Sequence, residues 1–450
     1  MSLYNREIEN RFIDNMVRNG FGATVDEMVE VLSEMETVLN SNKDQTIEEI
    51  VTVLMDSLNN KVKELSNEFP FIPGYNIAVN SGNIKTNIYG GNLDSKGNPM
   101  IKEALFDVAS ITKLFTQIIS YNLIREGYYR PNDMISDLHP KFVNATNLDI
   151  KTIMNFAFSY KIDGKIEDAN SIAEAKEVLY TLGVNEKDVY AYIDFGMLCL
   201  KEVMEYTTGK TYEELVNEYI VNKLELENTY LQVPEAKRNI LTGTPNIELG
   251  LNNDMKAIKL GGHAGNSGIL ANSDDLLKVV SNLYLNETFF PNDRLKDVYT
   301  ESEISKKDDW ARAIMGNACT LGGSFAGKLA PFNTSAYQGS TRTQVNVGIY
   351  NDILTSSAIL FNPASMGLEK AYELEEKLNK KFVTEYSFEG KNYVQMSTQV
   401  LLPVGSFVKP MTEEVNKLQL KLAFLNTLIE VYEPNFKEAI NIEINNGPKR

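Results

Sequence analysis

The sequence predicts a mixed α and β fold, with short strands near both ends of a core that is otherwise helical. Tyr75 to Val79 and Lys85 to Tyr89 read as short strands, joined by Asn80-Ser81-Gly82-Asn83, a hairpin turn by composition. From Leu114 to about Leu285 the apolar residues recur mainly at helical spacing. Thr355-Ser356-Ser357-Ala358-Ile359-Leu360-Phe361 then alternates as a strand again. Strands and helices grouped in this way point to an α+β arrangement within the broader α/β class.

Ahead of the first strand, helical spacing sets Ile8, Phe12 and Met16 on one face, then Met28, Leu32 and Met35, then Ile50, Leu54, Leu58 and Leu65. Thr46-Ile47-Glu48-Glu49 has the form of a capping box opening the third helix. Residues 1–70 are therefore expected to be a helical extension that packs on the body or supports a homodimer. Pro70-Phe71-Ile72-Pro73-Gly74 ends it, and 90–103 reads as a loop. After Phe361-Asn362-Pro363 come two helical stretches, about 366–381 and 413–432. Between them 382–393 is a candidate hairpin turning at Glu389-Gly390.

At 450 residues the chain is long enough for about three domains or for one two-lobed enzyme. Its 43% apolar and 23% charged residues are ordinary for a globular protein. A net charge of -17 argues against nucleic acid or an anionic membrane as partner. No apolar run approaches the roughly 20 residues of a membrane span. The start, Met1-Ser2-Leu3-Tyr4-Asn5-Arg6-Glu7, lacks a signal peptide's apolar core, so a cytoplasmic location is expected. Cys199 reads as a core residue, and with Cys319 as its only fellow no disulfide framework is expected. His139, expected at the surface, and His263 lie far apart without carboxylates or cysteines at ligand spacing, which argues against a metal or a histidine triad. Gly265-Asn266-Ser267-Gly268-Ile269 lacks the last glycine of a nucleophile elbow. No cofactor is expected.

The chemistry concentrates in Phe106-Asp107-Val108-Ala109-Ser110-Ile111-Thr112-Lys113-Leu114-Phe115-Thr116-Gln117. It reads as the start of a helix buried through Leu114, Phe115, Ile118 and Ile119 and stopped by Gly127. Ser110 and Lys113, at i and i+3, share one face. A serine needs a base, and a lysine serves if burial and the helix amino end lower its pKa toward neutrality. Bare S-x-x-K is weak, expected by accident about once or twice in such a chain. A second copy, Ser406-Phe407-Val408-Lys409, lies between Gly405 and Pro410 and reads as chance.

Around Ser110 the wording resembles the nucleophile segment of the serine β-lactamase and penicillin-binding-protein superfamily, closest to class C β-lactamases, D-alanyl-D-alanine carboxypeptidases and their esterase relatives. The resemblance implies a β-lactamase/transpeptidase-like fold: an antiparallel sheet flanked by helices, a mostly helical second lobe, and the site between them. Tyr190-Ala191-Tyr192-Ile193-Asp194-Phe195-Gly196 resembles the family's Y-x-N segment in its Y-x-D form, and Thr208-Gly209-Lys210-Thr211-Tyr212 follows as in relatives. Tyr192 would then stand beside Ser110 and Lys113 as phenolate or shared-proton base, since a nearby ammonium favours the phenolate. Asp194 would accept from Lys113 or a substrate amide, and Tyr190 reads as packing. The glycine-rich Gly261 to Leu276 stretch resembles the family's cleft support, with His263 a rim residue.

Two departures matter. Asn155-Phe156-Ala157-Phe158-Ser159 stands where relatives carry Thr-His-Thr-Ser-Gly. In Ala336-Tyr337-Gln338-Gly339-Ser340-Thr341-Arg342-Thr343, Tyr337 and Gln338 replace the cation or imidazole of the family's Lys-Thr-Gly or His-x-Gly. Gly339 keeps the backbone open to substrate, the Ser340 N–H would join that of Ser110 as an oxyanion hole, and Arg342 is the nearby substitute cation. The resemblance covers 71–363, divided into a sheet lobe (71–109 and 305–363) and a helical lobe (110–304), with 364–450 completing the sheet lobe. It implies a serine hydrolase acting through an acyl-enzyme, with Ser110, Lys113 and Tyr192 catalytic. A small-molecule or peptide-like substrate is expected, an ester or amide ahead of a β-lactam because the third motif lacks its cation. The alternatives are a β-lactamase or D-Ala-D-Ala carboxypeptidase, and a non-catalytic binding or scaffold protein on the same fold.

Overall fold

A computed structural model describes residues 4–41, 46–68, 73–189, 191–243, 252–286, 288–290, 311–312, 318–319, 326–331, 334–396, 404–432 and 442–446. Three helices open it, α1 (Arg6–Arg18), α2 (Val25–Ser41) and α3 (Ile47–Glu68). The capping box at the start of α3 is present: Thr46 N–H donates to Glu49 Oε2 at 2.8 Å and Glu49 N–H to Thr46 Oγ1 at 3.2 Å. Strands β1 (Gly74–Ser81) and β2 (Ile84–Gly91) turn through Gly82 and Asn83, with Gly82 at φ 53°. In the middle of the chain stand helices α4 (Thr112–Arg125), α5 (Phe195–Thr208) and α6 (Ser273–Leu285). The chain then builds β3 (Ser335–Gly339), β4 (Thr343–Tyr350), β5 (Ile353–Phe361), helix α7 (Leu368–Leu378), hairpin strands β6 (Val383–Phe388) and β7 (Lys391–Met396), helix α8 (Val404–Tyr432) and strand β8 (Ile442–Asn446).

The main sheet runs β3-β4-β5-β1-β2-β8, antiparallel except that β8 lies parallel to β2. Alternation along the strands gives it two apolar faces. Ile77 and Val79 of β1, with Ile359 and Phe361 of β5, pack against α1–α3 and α8. Ala78, Val345, Val347 and Leu360 point the other way, into the core built on α4, α5 and α6. The amino-terminal extension therefore spends its apolar faces inside the chain. Phe12 and Tyr4 meet Phe424 of α8 edge-on, at 5.4 and 5.9 Å between ring centroids. An antiparallel sheet flanked by helices, with a second helical layer beside it, is the architecture expected.

Several expectations change. His139 is buried, not at the surface: the rings of Phe142, Tyr180 and Tyr206 enclose it at 4.7–5.4 Å. The strand after the third motif is preceded by another, β4, so β3 and β4 form a hairpin turning at Ser340–Arg342. Helix α8 begins at Val404 and runs through Pro410, so the second S-x-x-K lies within a helix and not at a chain break. Tyr190 and the expected lobe boundary at 304–305 lie outside the described residues.

Phe12 is 1% exposed at the junction of extension, α8 and sheet. Replacing it with alanine is expected to remove about 3–5 kcal/mol from the unfolding free energy, read by urea denaturation. A loss below about 1 kcal/mol would show that the extension rides on the body without supporting it.

Candidate active site

Ser110 sits in a single 3₁₀ turn, Ala109–Ile111, that runs directly into α4. Ala109 has φ 46°, a left-handed conformation that costs a non-glycine residue roughly 1–3 kcal/mol and persists only where its surroundings impose it. Those surroundings are visible. Ala109 N–H donates to Asp107 Oδ1 at 2.8 Å, and Asn253 N–H donates to Asp107 Oδ2 at 3.1 Å. From the strand side, Thr341 Oγ1 donates to the Asp107 carbonyl at 2.6 Å and Thr343 Oγ1 to the Val108 carbonyl at 3.3 Å. Gly339 lies so close that a Cβ there would stand 2.4 Å from the Val108 carbonyl oxygen and 2.3 Å from Thr343 Oγ1. A glycine is required at that approach, and it brings the end of β3 against the serine turn.

One helical turn on, Lys113 has none of its side chain exposed. Its ammonium donates to Ser110 Oγ at 2.9 Å and to the Asn266 carbonyl at 3.2 Å, and pairs with Asp194 Oδ1 at 2.9 Å. The Tyr192 ring centroid is 5.0 Å from the same ammonium, and Phe156 packs against Tyr192 at 5.2 Å. The structure thus gathers Ser110, Lys113, Tyr192 and Asp194 in one place. It reverses the expected titration of Lys113. Burial alone would push the lysine down, but Asp194 first, and Tyr192 after it, outweigh it and hold the ammonium above its ordinary value. Burial also penalises the Asp194 carboxylate, yet Lys113 and Lys256 hold it well below the usual range.

The third motif is only partly turned to the site. Tyr337 is buried in the core beneath the sheet. The Gln338 amide donates to Gln344 Oε1 at 2.6 Å. Ser340 is half-buried at the turn. Arg342, at φ 69°, is 2% exposed and donates to the Ser340 carbonyl at 3.1 Å, with burial pushing its pKa down to about 10. It shapes the turn from within, away from solvent.

A family model described as Beta-lactamase matches residues 62–312, more than half of the chain. The chain belongs to the β-lactamase family. A β-lactamase from Yersinia enterocolitica is 24% identical over 180 residues, 37% of this chain and 45% of that protein, so the match spans less than half of the relative. Among solved structures, the class C β-lactamase from Rhodobacter sphaeroides superposes with a TM-score of 0.53 at 14% identity, covering 72% of this chain and 99% of that one. EstCE1, a hydrolase with promiscuous acyltransferase activity, gives 0.54 at 15% identity, covering 67% of this chain and 93% of that one. These structures share the fold of the β-lactamase family with this chain.

Within that family fold, sequence reading missed the loop at 252–256. Asn253 holds Asp107, the Asp254 carboxylate accepts from Asn266 Nδ2 at 2.7 Å, and Lys256 pairs with Asp194 Oδ2 at 3.1 Å. The added β6–β7 hairpin reaches the same loop, Gln395 Nε2 donating to the Asn253 carbonyl, and Phe388 covers the buried Lys259 ammonium at 4.3 Å. Nothing at the sequence level marks Asn252-Asn253-Asp254-Met255-Lys256 beyond an aspartate able to cap the helix that follows. Gly265 and Asn266, by contrast, lie against the helix that bears Lys113: their carbonyls accept from Thr116 Oγ1 at 2.6 Å and from Lys113.

Burial raises the Asp107 carboxyl to about 7 against the pull of its two N–H partners. An acid with a raised folded pKa keeps its proton where the unfolded chain has lost it. Its contribution to stability therefore falls as pH rises from about 4 to about 7, by about 1.4 kcal/mol per unit, and is level above that. Asp107→Asn removes this titration, so the stability of wild type relative to the variant is expected to fall between about pH 5 and about pH 8. Urea midpoints of both proteins at the two pH values check it; parallel midpoints would place the Asp107 pKa outside that window.

Proposed function

We propose that this chain is a serine hydrolase that works through an acyl-enzyme on Ser110. The observation that carries the reading is the 2.9 Å contact between Ser110 Oγ and a fully buried Lys113 ammonium, itself anchored on Asp194. Ser110 Oγ attacks the carbonyl carbon of the substrate, and the backbone N–H groups of Ser110 and Ser340 receive the oxyanion. Because Lys113 is held charged, it donates toward Oγ in the resting site, and Tyr192 is the group left to accept the serine proton. Tyr192 does so as a phenolate that the Lys113 ammonium stabilises beforehand, and it becomes the neutral phenol as the serine proton arrives. The tyrosine returns the proton to the leaving group, and water, activated by the same pair, releases the acyl group from Ser110.

The substrate class follows from charge. Lys113 and Lys256 face Asp194 and Glu167, with Asp254 4.0 Å from Lys256 Nζ. Two cations balanced by two or three acids leave no positive charge over for a substrate carboxylate. On the third-motif strand Tyr337 and Gln338 supply none, and Arg342 is turned to the Ser340 carbonyl. A neutral ester or amide suits this site better than a carboxylate-bearing β-lactam or D-Ala-D-Ala peptide.

A fluorophosphonate probe is expected to label the purified protein on one residue, mapped by mass spectrometry to Ser110, and to fail on Ser110→Ala. Labelling that survives this change, or maps to Ser406, overturns the assignment, and absence of labelling in wild type favours a non-catalytic binding protein.

A lysine-to-carboxylate contact of the kind missing here is worth roughly 1.5–3 kcal/mol when partly desolvated. Its absence costs a carboxylate-bearing substrate about one to two powers of ten in kcat/KM. A p-nitrophenyl ester is therefore expected to be turned over with higher kcat/KM than a chromogenic cephalosporin. Faster cephalosporin hydrolysis, lost selectively in Arg342→Ala, would reverse the ranking toward a lactamase or peptidase.

A further inference from the structure

Five residues close a ring beside the serine, four through their side chains alone and Asn266 through both its amide and its backbone carbonyl. Lys113 pairs with Asp194 Oδ1 at 2.9 Å, and Lys256 pairs with Asp194 Oδ2 at 3.1 Å. Asp254 lies 4.0 Å from Lys256, and its other oxygen accepts from Asn266 Nδ2 at 2.7 Å. The Asn266 carbonyl returns to Lys113 at 3.2 Å. One carboxylate thus serves two ammonium groups, one on each oxygen. The second ammonium is itself held in place: Asp254 caps the short helix Met255–Lys259 by accepting from the Lys256 N–H at 2.8 Å, and Glu167 stands 3.7 Å from Lys256 Nζ.

We propose that Lys256 is a positioning residue of the reaction, acting through Asp194: by occupying one oxygen of that carboxylate it weakens the grip of Asp194 on Lys113 and so eases removal of the proton shared by Lys113 and Tyr192. The physical basis is that a lone carboxylate beside a buried ammonium makes a pair that strongly resists losing its proton. A second cation on the same carboxylate lowers the negative potential felt at Lys113. The other titratable groups facing the ring are Tyr192 on the Lys113 side, Tyr160, whose phenol senses both Lys256 and Glu167, and the Asp254 carboxyl, raised by burial and by Asp194. Glu167, 3.7 Å from the Lys256 ammonium, and Asp254 both offset its positive charge, and Glu167 is the one that does not also hold the loop. The sequence around Lys256 resembles none of the motifs that mark the site.

This inference rests on the reading of Ser110 as nucleophile, and its test separates the two. The readout is the second-order rate of labelling by a fluorophosphonate as a function of pH. The Ser110 Oγ–P bond forms as fluoride leaves, and the serine proton passes to the Lys113–Tyr192 pair. In wild type the rate falls on the acid side as that pair becomes fully protonated. In Lys256→Gln the acid limb is expected to move up by about one pH unit, a loss of about tenfold below the limb, while the alkaline plateau stays within about twofold. Lys256→Arg, which keeps the charge, is expected to restore the wild-type limb. Glu167→Gln, at a surface turn, is expected to move the limb the other way, to lower pH, and supplies a readout even where Lys256→Gln folds poorly. A uniform drop of Lys256→Gln at all pH values, or limbs unmoved in both Lys256→Gln and Glu167→Gln while Ser110→Ala is inert, overturns the role of Lys256 alone. Full labelling of Ser110→Ala overturns the nucleophile and this role with it.

Discussion

Lys113 carries an ammonium beside Ser110 with none of its side chain exposed, and the organisation of the site follows from having to keep that charge there. Taking an ammonium out of water costs several kcal/mol unless partners replace the lost solvation. Here the partners come from four places far apart in the chain: Ser110 in the preceding turn, Tyr192 and Asp194 at the start of α5, the Asn266 carbonyl in the glycine-rich stretch, and through Asp194 the loop that bears Lys256. Each contact fixes a chain segment as well as a charge. The glycine-rich stretch is held twice, by Lys113 and by Thr116 one turn along α4, so the helix that presents the lysine also sets the wall of the cleft.

The serine is fixed by a second, independent set of contacts. A left-handed alanine immediately before Ser110 is a strained arrangement, and such strain survives only when neighbouring structure over-determines it. Asp107 holds the turn from within, while Thr341 and Thr343 hold it from the β3–β4 hairpin. The close approach at Gly339 makes the sheet edge and the serine turn one unit. This explains why the third motif has its glycine although it lacks the expected cation: the glycine answers to backbone contact with Val108, while Tyr337 before it packs in the core and Gln338 bonds Gln344.

What the sequence made legible divides along the same line. Helical spacing, the capping box at Thr46 and the hairpin at Gly82 are local signals, and the structure carries all of them. Ser110 and Lys113 were readable because three residues of helix force them onto one face, and Tyr192 with Asp194 because their surrounding wording resembles the family. The residues that escaped are those whose partners lie far away in sequence. Asp107 reads as one polar residue in an apolar run until Asn253 is seen to donate to it. Lys256 reads as a surface lysine until Asp194 is seen 3.1 Å away. His139 was placed at the surface because a polar, proline-flanked stretch carries no sign of the three aromatic rings that enclose it. Strand β8 escaped for a related reason: its pairing with β2 joins opposite ends of the chain.

The altered third motif and the unmarked lysine belong to one change in the electrostatics of the site. The family resemblance implies a cation on the strand beside Ser110, where a substrate would meet it. Here that strand offers Tyr337 and Gln338, the first buried in the core and the second bonded to Gln344. A second cation is nevertheless present, on the loop beside Asp194, and it meets an acid of the protein instead. A cation on the strand would be neutralised by a substrate carboxylate on each turnover. Lys256 is paired instead with an acid of the protein itself, and in the proposed role its influence passes inward to Lys113. On the proposed reading, this charge acts on the proton relay and not on the substrate. That is the distribution the proposed neutral substrate calls for.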